Sequence, residues 1–145
     1  MLLKGSFRIP TDEENAWKFV SDPGKVIECV PGLQSYALEE GRRVSAWVKV
    51  SIGLIRGTFQ TSGRMVMEDP RAHVATFELT GSGAGSGFGA TVNLKLAPAG
   101  EEVELEWNAN VNISGPLGSL ARPIIEGNAK KIVDQLFDCV KRRLS

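Results

Sequence analysis

The stretch from Leu117 to Arg143 constrains the fold most, because no other segment repeats apolar residues with a helical period for so long. At about 100° per residue, its apolar residues fall on one side of a helix. That apolar side carries Ala121, Ile125, Ala129, Ile132, Leu136, Cys139 and Val140. The pattern predicts a long amphipathic helix whose apolar side is covered by another part of the chain.

Nearly everything before this helix alternates between apolar and polar residues with period two. The clearest run goes from Glu102 to Ile113, and such alternation is typical of an antiparallel strand with one buried face. A first strand is predicted up to Ile9, followed by two short helices. Thr11 and Glu14 fit a capping box for one of these helices, and Asp22 with Pro23 fits the start of the other.

The order of predicted elements indicates an α+β fold. It is a curved antiparallel sheet of about seven strands wrapped around the long C-terminal helix, with two short helices after the first strand. We expect residues 1–145 to form one domain, because no linker or repeat interrupts the pattern.

The charge balance excludes whole classes of partner. The chain has 17 basic and 17 acidic residues, so it lacks the excess positive charge typical of nucleic-acid binding. No apolar run is long enough for a membrane span, and the chain enters its first strand without room for a signal peptide. We therefore expect a cytoplasmic protein. In that reducing compartment Cys29 and Cys139 are predicted to be free, buried thiols.

Few residues have the chemistry of a catalytic or metal site. Gly85 to Ala90 formally matches a dinucleotide fingerprint, but the residues that follow alternate like a strand rather than open a helix. We predict instead that the glycines from Gly81 to Gly89 leave space on the concave face of the sheet. His73, the only histidine, is predicted to lie at the surface or at a strand end. The sequence therefore predicts no catalytic residue, no metal ligand and no cofactor.

The inward-facing positions combine large apolar side chains with glycine and alanine. This composition fits either a solid core or an apolar cavity with one or two polar groups that orient a ligand. Asn128 is the one polar residue near the apolar side of the helix, and Tyr36 is a second candidate for orienting a ligand. If there is a cavity, its predicted lining is Trp17, Val20, Tyr36, Val48, Phe59, Met65, Phe77, Phe88, Trp107, Ile125, Asn128, Ala129 and Ile132.

Several motifs, taken together and in order, resemble the CoxG family of carbon monoxide dehydrogenase subunits, within the START-like helix-grip superfamily. They are Trp17 with Ser21-Asp22-Pro23, Cys29-Val30-Pro31-Gly32, Gly57-Thr58-Phe59, the glycine-rich hairpin from Gly81 to Phe88, and Gly115 to Arg122. Gly53-Leu54-Ile55 departs from the Gly-Pro expected at that turn. The chain also stops at Ser145, where some members carry an extension thought to reach the membrane.

The resemblance implies a helix-grip fold that holds a hydrophobic ligand, and a link to molybdenum hydroxylases of the carbon monoxide dehydrogenase type. We therefore expect a non-enzymatic accessory protein that binds a quinone or lipid, with peripheral contact to the inner face of the membrane as one option. One alternative is a solid-cored interaction module or homodimer, for which the outward-facing Trp47 is the feature to inspect. The other is a START-like cyclase or hydrolase, which would need acid–base groups in the cavity.

Overall fold

A computed structural model describes residues 1–144 of the chain. Seven strands and three α-helices follow one another in the predicted order. The elements are β1 (Leu2–Ile9), α1 (Glu13–Val20), α2 (Pro23–Val26), a 3₁₀ turn (Ile27–Cys29), β2 (Leu33–Glu39), β3 (Arg43–Ile52), β4 (Ile55–Asp69), β5 (Val74–Gly83), β6 (Ser86–Ala99), β7 (Glu102–Ser114) and α3 (Ala121–Leu144).

The strands form one antiparallel sheet in the order β1-β7-β6-β5-β4-β3-β2. β2 to β7 form a meander, and β1 pairs with β7 at the far side. Most apolar residues of each strand share one face, which is covered by the helices, so the alternation in the sequence correctly predicted the sheet. The concave face with α3 across it is the helix-grip arrangement, which confirms the predicted α+β fold.

The starts of the two short helices differ in how well the sequence predicted them. Asp12 caps α1 by accepting a hydrogen bond from the backbone N–H of Asn15 at 2.8 Å, so the predicted capping box of Thr11 and Glu14 is wrong. The helix begins one residue later than that box requires. Asp22 caps α2 through the N–H of Gly24 with Pro23 in the first turn, as predicted.

α3 begins at Ala121, four residues after the predicted start, because residues 116–120 form turns. Its side chains are most deeply buried at Ala121, Phe137 and Val140. Phe137 was not in the predicted apolar stripe, yet its ring stacks on Phe7 of β1 with centroids 4.1 Å apart. The sheet curves, so the last turns of the helix face β1 rather than the middle strands.

Cys29 and Cys139 form a disulfide with Cα atoms 5.5 Å apart, so the prediction of two free thiols is wrong. The bond joins the 3₁₀ turn to α3 across 110 residues of sequence. Spacing along the chain gave no sign of the pairing, because it depends on where α3 ends relative to the turn before β2. The bond fixes that end of α3 to the segment between α1 and β2.

A β-bulge in β4 changes which face its last residues occupy. Between Met65 and Met67 the pairing with β5 shifts by one residue, so Met65 pairs with Phe77 but Met67 pairs with Thr76. Uninterrupted alternation would place Met67 on the inward face with Met65, but Met67 lies on the other face and is 42% exposed. An extra residue in one strand reverses the alternation beyond it.

Candidate functional site

Two separate apolar clusters lie between the sheet and the helices. The larger one includes Ile9, Trp17, Leu105 and Val140, around α1 and the last turns of α3. The smaller one is built on Ile55, Phe59 and Ala121, where α3 begins, with half-buried neighbours that include Ile113 and Ile125. α3 therefore packs firmly at its two ends.

Between these clusters, apolar side chains on the concave face are only partly buried. Leu79 of β5 keeps 36% of its surface exposed although β5 is a central strand. Its partner Ala90 on β6 is half-buried, and so is Val111, the partner of Ala90 on β7. A side chain on the covered face of a central strand is exposed only where the space above it is not filled. From this exposure we infer a space between the two clusters and under the middle of α3, and we call it the apolar hollow.

The predicted lining residues divide between the hollow and its ends. Trp17 and Val20 are buried in the larger cluster, while Met65, Phe77 and Trp107 pack against it from the sheet. Phe59 and Ile125 belong to the smaller cluster. Apart from Tyr36, the remaining predicted lining residues are half-buried and belong to neither cluster: Val48, Phe88, Asn128, Ala129 and Ile132.

Tyr36 lies outside the hollow, on edge strand β2 with 39% of its surface exposed. Its hydroxyl donates to Glu28 Oε2 at 2.8 Å, and Arg143 Nη1 donates to Glu28 Oε1 at the same distance. These bonds hold the pKa of Glu28 below its usual range, with the Tyr36 hydrogen bond as the largest cause. The same bond raises the pKa of Tyr36. Tyr36 thus joins β2 to the 3₁₀ turn and, through Glu28, to α3.

The side-chain amide of Asn128 already makes one hydrogen bond, through its nitrogen. Its side-chain Nδ2 donates to the backbone carbonyl of Ile124 at 2.7 Å, one turn back along α3. That bond fixes the amide and leaves Oδ1 as the atom with capacity for a ligand.

Gly81 and Gly83 of the hairpin do not leave the empty space on the concave face that the sequence predicted. An added Cβ on Gly81 would lie 2.1 Å from Cε1 of Phe88, and one on Gly83 would lie 2.7 Å from the ring of Phe59. Leu79 fills the corresponding volume at Gly63 in the same way. Each of these three glycines accommodates a neighbouring side chain against the sheet, so the room in the hollow lies above these side chains.

Trp107 has a buried donor without an acceptor. Its Nε1 is the one fully buried side-chain nitrogen or oxygen within residues 1–144 that makes no hydrogen bond. The indole packs against Gly5 of β1, where an added Cβ would lie 3.0 Å from Nε1. A buried donor without a partner is uncommon in folded proteins.

His73 is buried, in contrast to the predicted surface position, although it does directly precede β5. It is 7% exposed with a φ of 54°, and its Nδ1 is 2.5 Å from Glu13 Oε2. Its ring lies 5.1 Å from that of Trp17. These contacts fasten α1 to the turn before β5, at the larger cluster and away from the hollow. Sequence reasoning missed this contact because Glu13 and His73 are 60 residues apart.

The outer face of the sheet is polar and uncovered by other elements of the described chain. Trp47 stands on it with 47% of its surface exposed, opposite Gln60 of β4 and Ser35 of β2. Thr76, Asn93 and Asn108 form a chain of hydrogen bonds across β5, β6 and β7. Within residues 1–144 there is no cluster of three metal-ligating side chains, and no helix is both long and apolar enough to cross a membrane.

The chain belongs to the CoxG family of carbon monoxide dehydrogenase subunits, whose model matches residues 5–145. No curated protein matches the chain.

Solved structures with the same fold include a conserved protein from Geobacillus kaustophilus, at 18% identity and a TM-score of 0.89, with 99% of this chain and 95% of that one covered. A START superfamily protein from Mycobacterium smegmatis has 16% identity and a TM-score of 0.69, with coverage of 99% and 96%. A truncated norcoclaurine synthase from Thalictrum flavum has 12% identity and a TM-score of 0.62, with coverage of 97% and 92%. At these identities the likeness establishes the START-like fold alone.

Proposed function

We propose that this chain is a non-enzymatic accessory protein that binds an apolar small molecule, a quinone or lipid, in the hollow between the sheet and α3. The observation that carries the proposal is the exposure of Leu79 on the covered face of a central strand. Apolar surface left open under a helix is what a hydrophobic ligand would cover. Each buried methylene contributes about 0.8 kcal/mol, so a prenyl or acyl chain binds without an ion pair.

The inward residues argue against catalysis in the hollow. The concave positions of β5 and β6 are apolar or glycine throughout, from Ala75 to Gly83 and from Phe88 to Leu96. General acid–base catalysis needs a titratable group within hydrogen-bond reach of the substrate. His73 and Glu13 are such groups, but they bind each other beside Trp17 at the larger cluster. Norcoclaurine synthase shows that this fold also serves enzymes, which makes the apolar lining the deciding feature.

Among apolar ligands, the unpaired donor of Trp107 favours one with a carbonyl oxygen. The indole N–H lies on the inward-facing side of β7, at the edge of the larger cluster. A quinone carries two such acceptors, whereas a hydrocarbon chain carries none. The family name supports a partner as well: we propose that the ligand serves a molybdenum hydroxylase of the carbon monoxide dehydrogenase type.

The end of the molecule near Leu54 fits a peripheral contact with an anionic membrane. Leu54, in the turn between β3 and β4, is 85% exposed, and Leu120, just before α3, is 61% exposed. The β3–β4 turn, the β5–β6 turn and the segment before α3 lie at this end, and residues 50–60, 80–90 and 113–121 contain no aspartate or glutamate. The turns at the opposite end carry Glu39, Glu40, Glu68, Asp69, Glu101 and Glu102. Exposed leucines beside turns that lack carboxylates are suited to an anionic lipid surface.

Native mass spectrometry of protein purified from cells without detergent tests the proposal. We expect a bound apolar molecule, released on unfolding and identified by its mass as a prenylquinone or lipid. A protein that is free of such a molecule and takes up none from quinone-containing vesicles would contradict it.

A second candidate function is docking on a partner protein through the outer face of the sheet, which the exposure of Trp47 favours. An exposed aromatic side chain on a polar sheet face is typical of an interface. The same mass spectra distinguish ligand binding from docking. A stable homodimer or heteromer that carries no apolar molecule supports docking alone.

A further inference from the structure

We propose that the Cys29–Cys139 disulfide is a thiol–disulfide exchange site at which a dithiol reductant releases the segment from Pro23 to Cys29, while the rest of the fold stays closed. We call this segment, α2 with its 3₁₀ turn, the α2 segment. The effect of this release, faster ligand exchange, rests on the function proposed above. The release of the segment does not depend on that function.

The α2 segment has few anchors besides the disulfide. No residue of α2 is fully buried, although half-buried Val26 packs against the larger cluster, and Cys29 is the one buried residue of the 3₁₀ turn. Glu28 adds hydrogen bonds to Tyr36 and Arg143, which are exposed to solvent. A short segment with little buried apolar surface opens at a low free-energy cost. The covalent bond is therefore the strongest restraint on its position.

α3, at the other end of the bond, is held independently. Val140 is 1% exposed, and Phe137 stacks on Phe7 of β1. Lys141 Nζ also lies 5.7 Å from the centre of the Phe7 ring. These contacts remain when the disulfide is broken, so reduction releases the α2 segment rather than the helix.

The α2 segment covers the side of the concave face nearest the β2 edge. α2 approaches β3 and β4, and the 3₁₀ turn approaches β2 and α3. Val44 and Ala46 of β3 are 5% and 3% exposed, although only edge strand β2 lies beyond β3. Displacing α2 would uncover this part of the face and open a path from solvent to the space under α3.

The groove nearest the disulfide is lined by residues beside the two cysteines rather than by the cysteines themselves. It has a volume of about 570 Å³, and Glu28, next to Cys29, and Arg143, one helical turn after Cys139, are in its wall. Lys18 and Lys25 also line it and favour the approach of a thiolate. Cys139 is half-buried and Cys29 is 5% exposed, so Cys139 is the more exposed of the two residues, and we take its sulfur as the point of attack.

The exchange balances as a two-electron transfer. A thiolate of the reductant attacks Sγ of Cys139, and Sγ of Cys29 leaves as a thiolate that takes up a proton. The second thiol of the reductant loses its proton and attacks the mixed disulfide, which releases Cys139 as a thiolate. The reductant ends as a disulfide and the protein as a dithiol.

Hydrogen-exchange mass spectrometry on the full chain tests the proposal, with the oxidised protein compared with protein reduced by dithiothreitol under native conditions. Alkylation counts the free thiols. We expect two alkylated cysteines and about tenfold faster exchange in residues 23–32, with β7 and residues 132–140 within about twofold of the oxidised protein. A disulfide that resists reduction, or exchange that is unchanged or accelerated throughout the chain, overturns the proposal.

The double variant Cys29→Ala/Cys139→Ala is the matched control. It should exchange like the reduced protein in residues 23–32 and should not respond to dithiothreitol; a response would show that the reductant acts elsewhere. Release of a fluorescent prenylquinone analogue should be faster from the reduced protein. If the analogue does not bind, the proposed function is contradicted. The hydrogen-exchange result still shows whether reduction of the disulfide releases the α2 segment.

Discussion

The rings of Phe7 and Phe137 are stacked with their centroids 4.1 Å apart and their planes 25° from parallel. This contact joins the first strand of the sheet to the last turns of α3. It anchors one end of α3, and the smaller cluster around Ala121 anchors the other. The middle of the helix can then lie over the sheet without packing tightly on it.

Removing this anchor should destabilise the whole fold. Phe137→Ala deletes a ring that is 8% exposed, and we expect the free energy of unfolding to fall by about 3–5 kcal/mol. Urea denaturation measures it. Asp138→Ala, an exposed neighbour on the same helix, is the control and should change stability by less than about 0.5 kcal/mol. Equal effects of the two variants would show that the stack is not an anchor.

Filling the volume at Gly81 should reduce the room in the hollow. In Gly81→Ala the new Cβ would lie 2.1 Å from Cε1 of Phe88, so the ring must swing away from the sheet toward α3. We expect a loss of stability of about 1–3 kcal/mol and weaker uptake of prenylquinone. Thermal unfolding and a fluorescence titration measure the two effects.

Gly127→Ala is the matched glycine control, because nothing lies within 4 Å of its added Cβ. On a helix this substitution should stabilise the protein by about 0.5–1 kcal/mol and leave quinone uptake unchanged. Uptake by Gly81→Ala that equals that of the unmodified chain would mean that Phe88 does not border the ligand.

Trp107 should distinguish ligands by whether they carry an acceptor. Trp107→Phe removes the indole N–H, and we expect the affinity for a prenylquinone to fall about three- to tenfold more than the affinity for a plain hydrocarbon chain. Isothermal titration calorimetry with both ligands measures the two losses of affinity. Their ratio corrects for the smaller ring of phenylalanine. Equal losses would show that Nε1 makes no bond to the quinone.

The Glu28 network should make a contribution to stability that depends on pH. The hydrogen bonds from Tyr36 and Arg143 lower the pKa of Glu28 in the folded chain. A lowered pKa stabilises the folded state above the unfolded-state value, and the contribution is lost as the pH falls through the folded-state value. The stability difference between the unmodified chain and Glu28→Gln should therefore be full at neutral pH and shrink under acid conditions. A difference that is constant from pH 7 to about pH 3 would contradict this assignment.

The sequence predicted the sheet and the long helix because both rest on local patterns. Alternation from Glu102 to Ile113 requires one buried face whatever the strand packs against. Met67 was misplaced because an unpaired residue in β4 reverses that alternation, and bulges leave no mark on the spacing of side chains. The burial of His73 was missed because its partner Glu13 comes from another element.

The candidate site was harder to predict because it depends on volumes and on contacts between distant elements. Glycine in the sequence indicates a missing side chain, but only the structure shows that Phe88 occupies the volume at Gly81. The pairing of Cys29 with Cys139 likewise depends on the direction in which α3 crosses the sheet. Tyr36 has the position of an inward-facing residue in the alternation of β2. It lies on an edge strand, however, and its hydroxyl bonds to Glu28 instead.

The most direct test of the central claim is a prenylquinone titration of two tryptophan variants of α3. Ala129 is half-buried on the side of the helix toward the hollow, whereas Gly127 is exposed. We expect Ala129→Trp to remain folded and bind prenylquinone at least about tenfold more weakly, a change of about 1.4 kcal/mol, while Gly127→Trp binds like the unmodified chain. A folded Ala129→Trp with unchanged affinity would contradict the claim that the ligand lies between the sheet and α3.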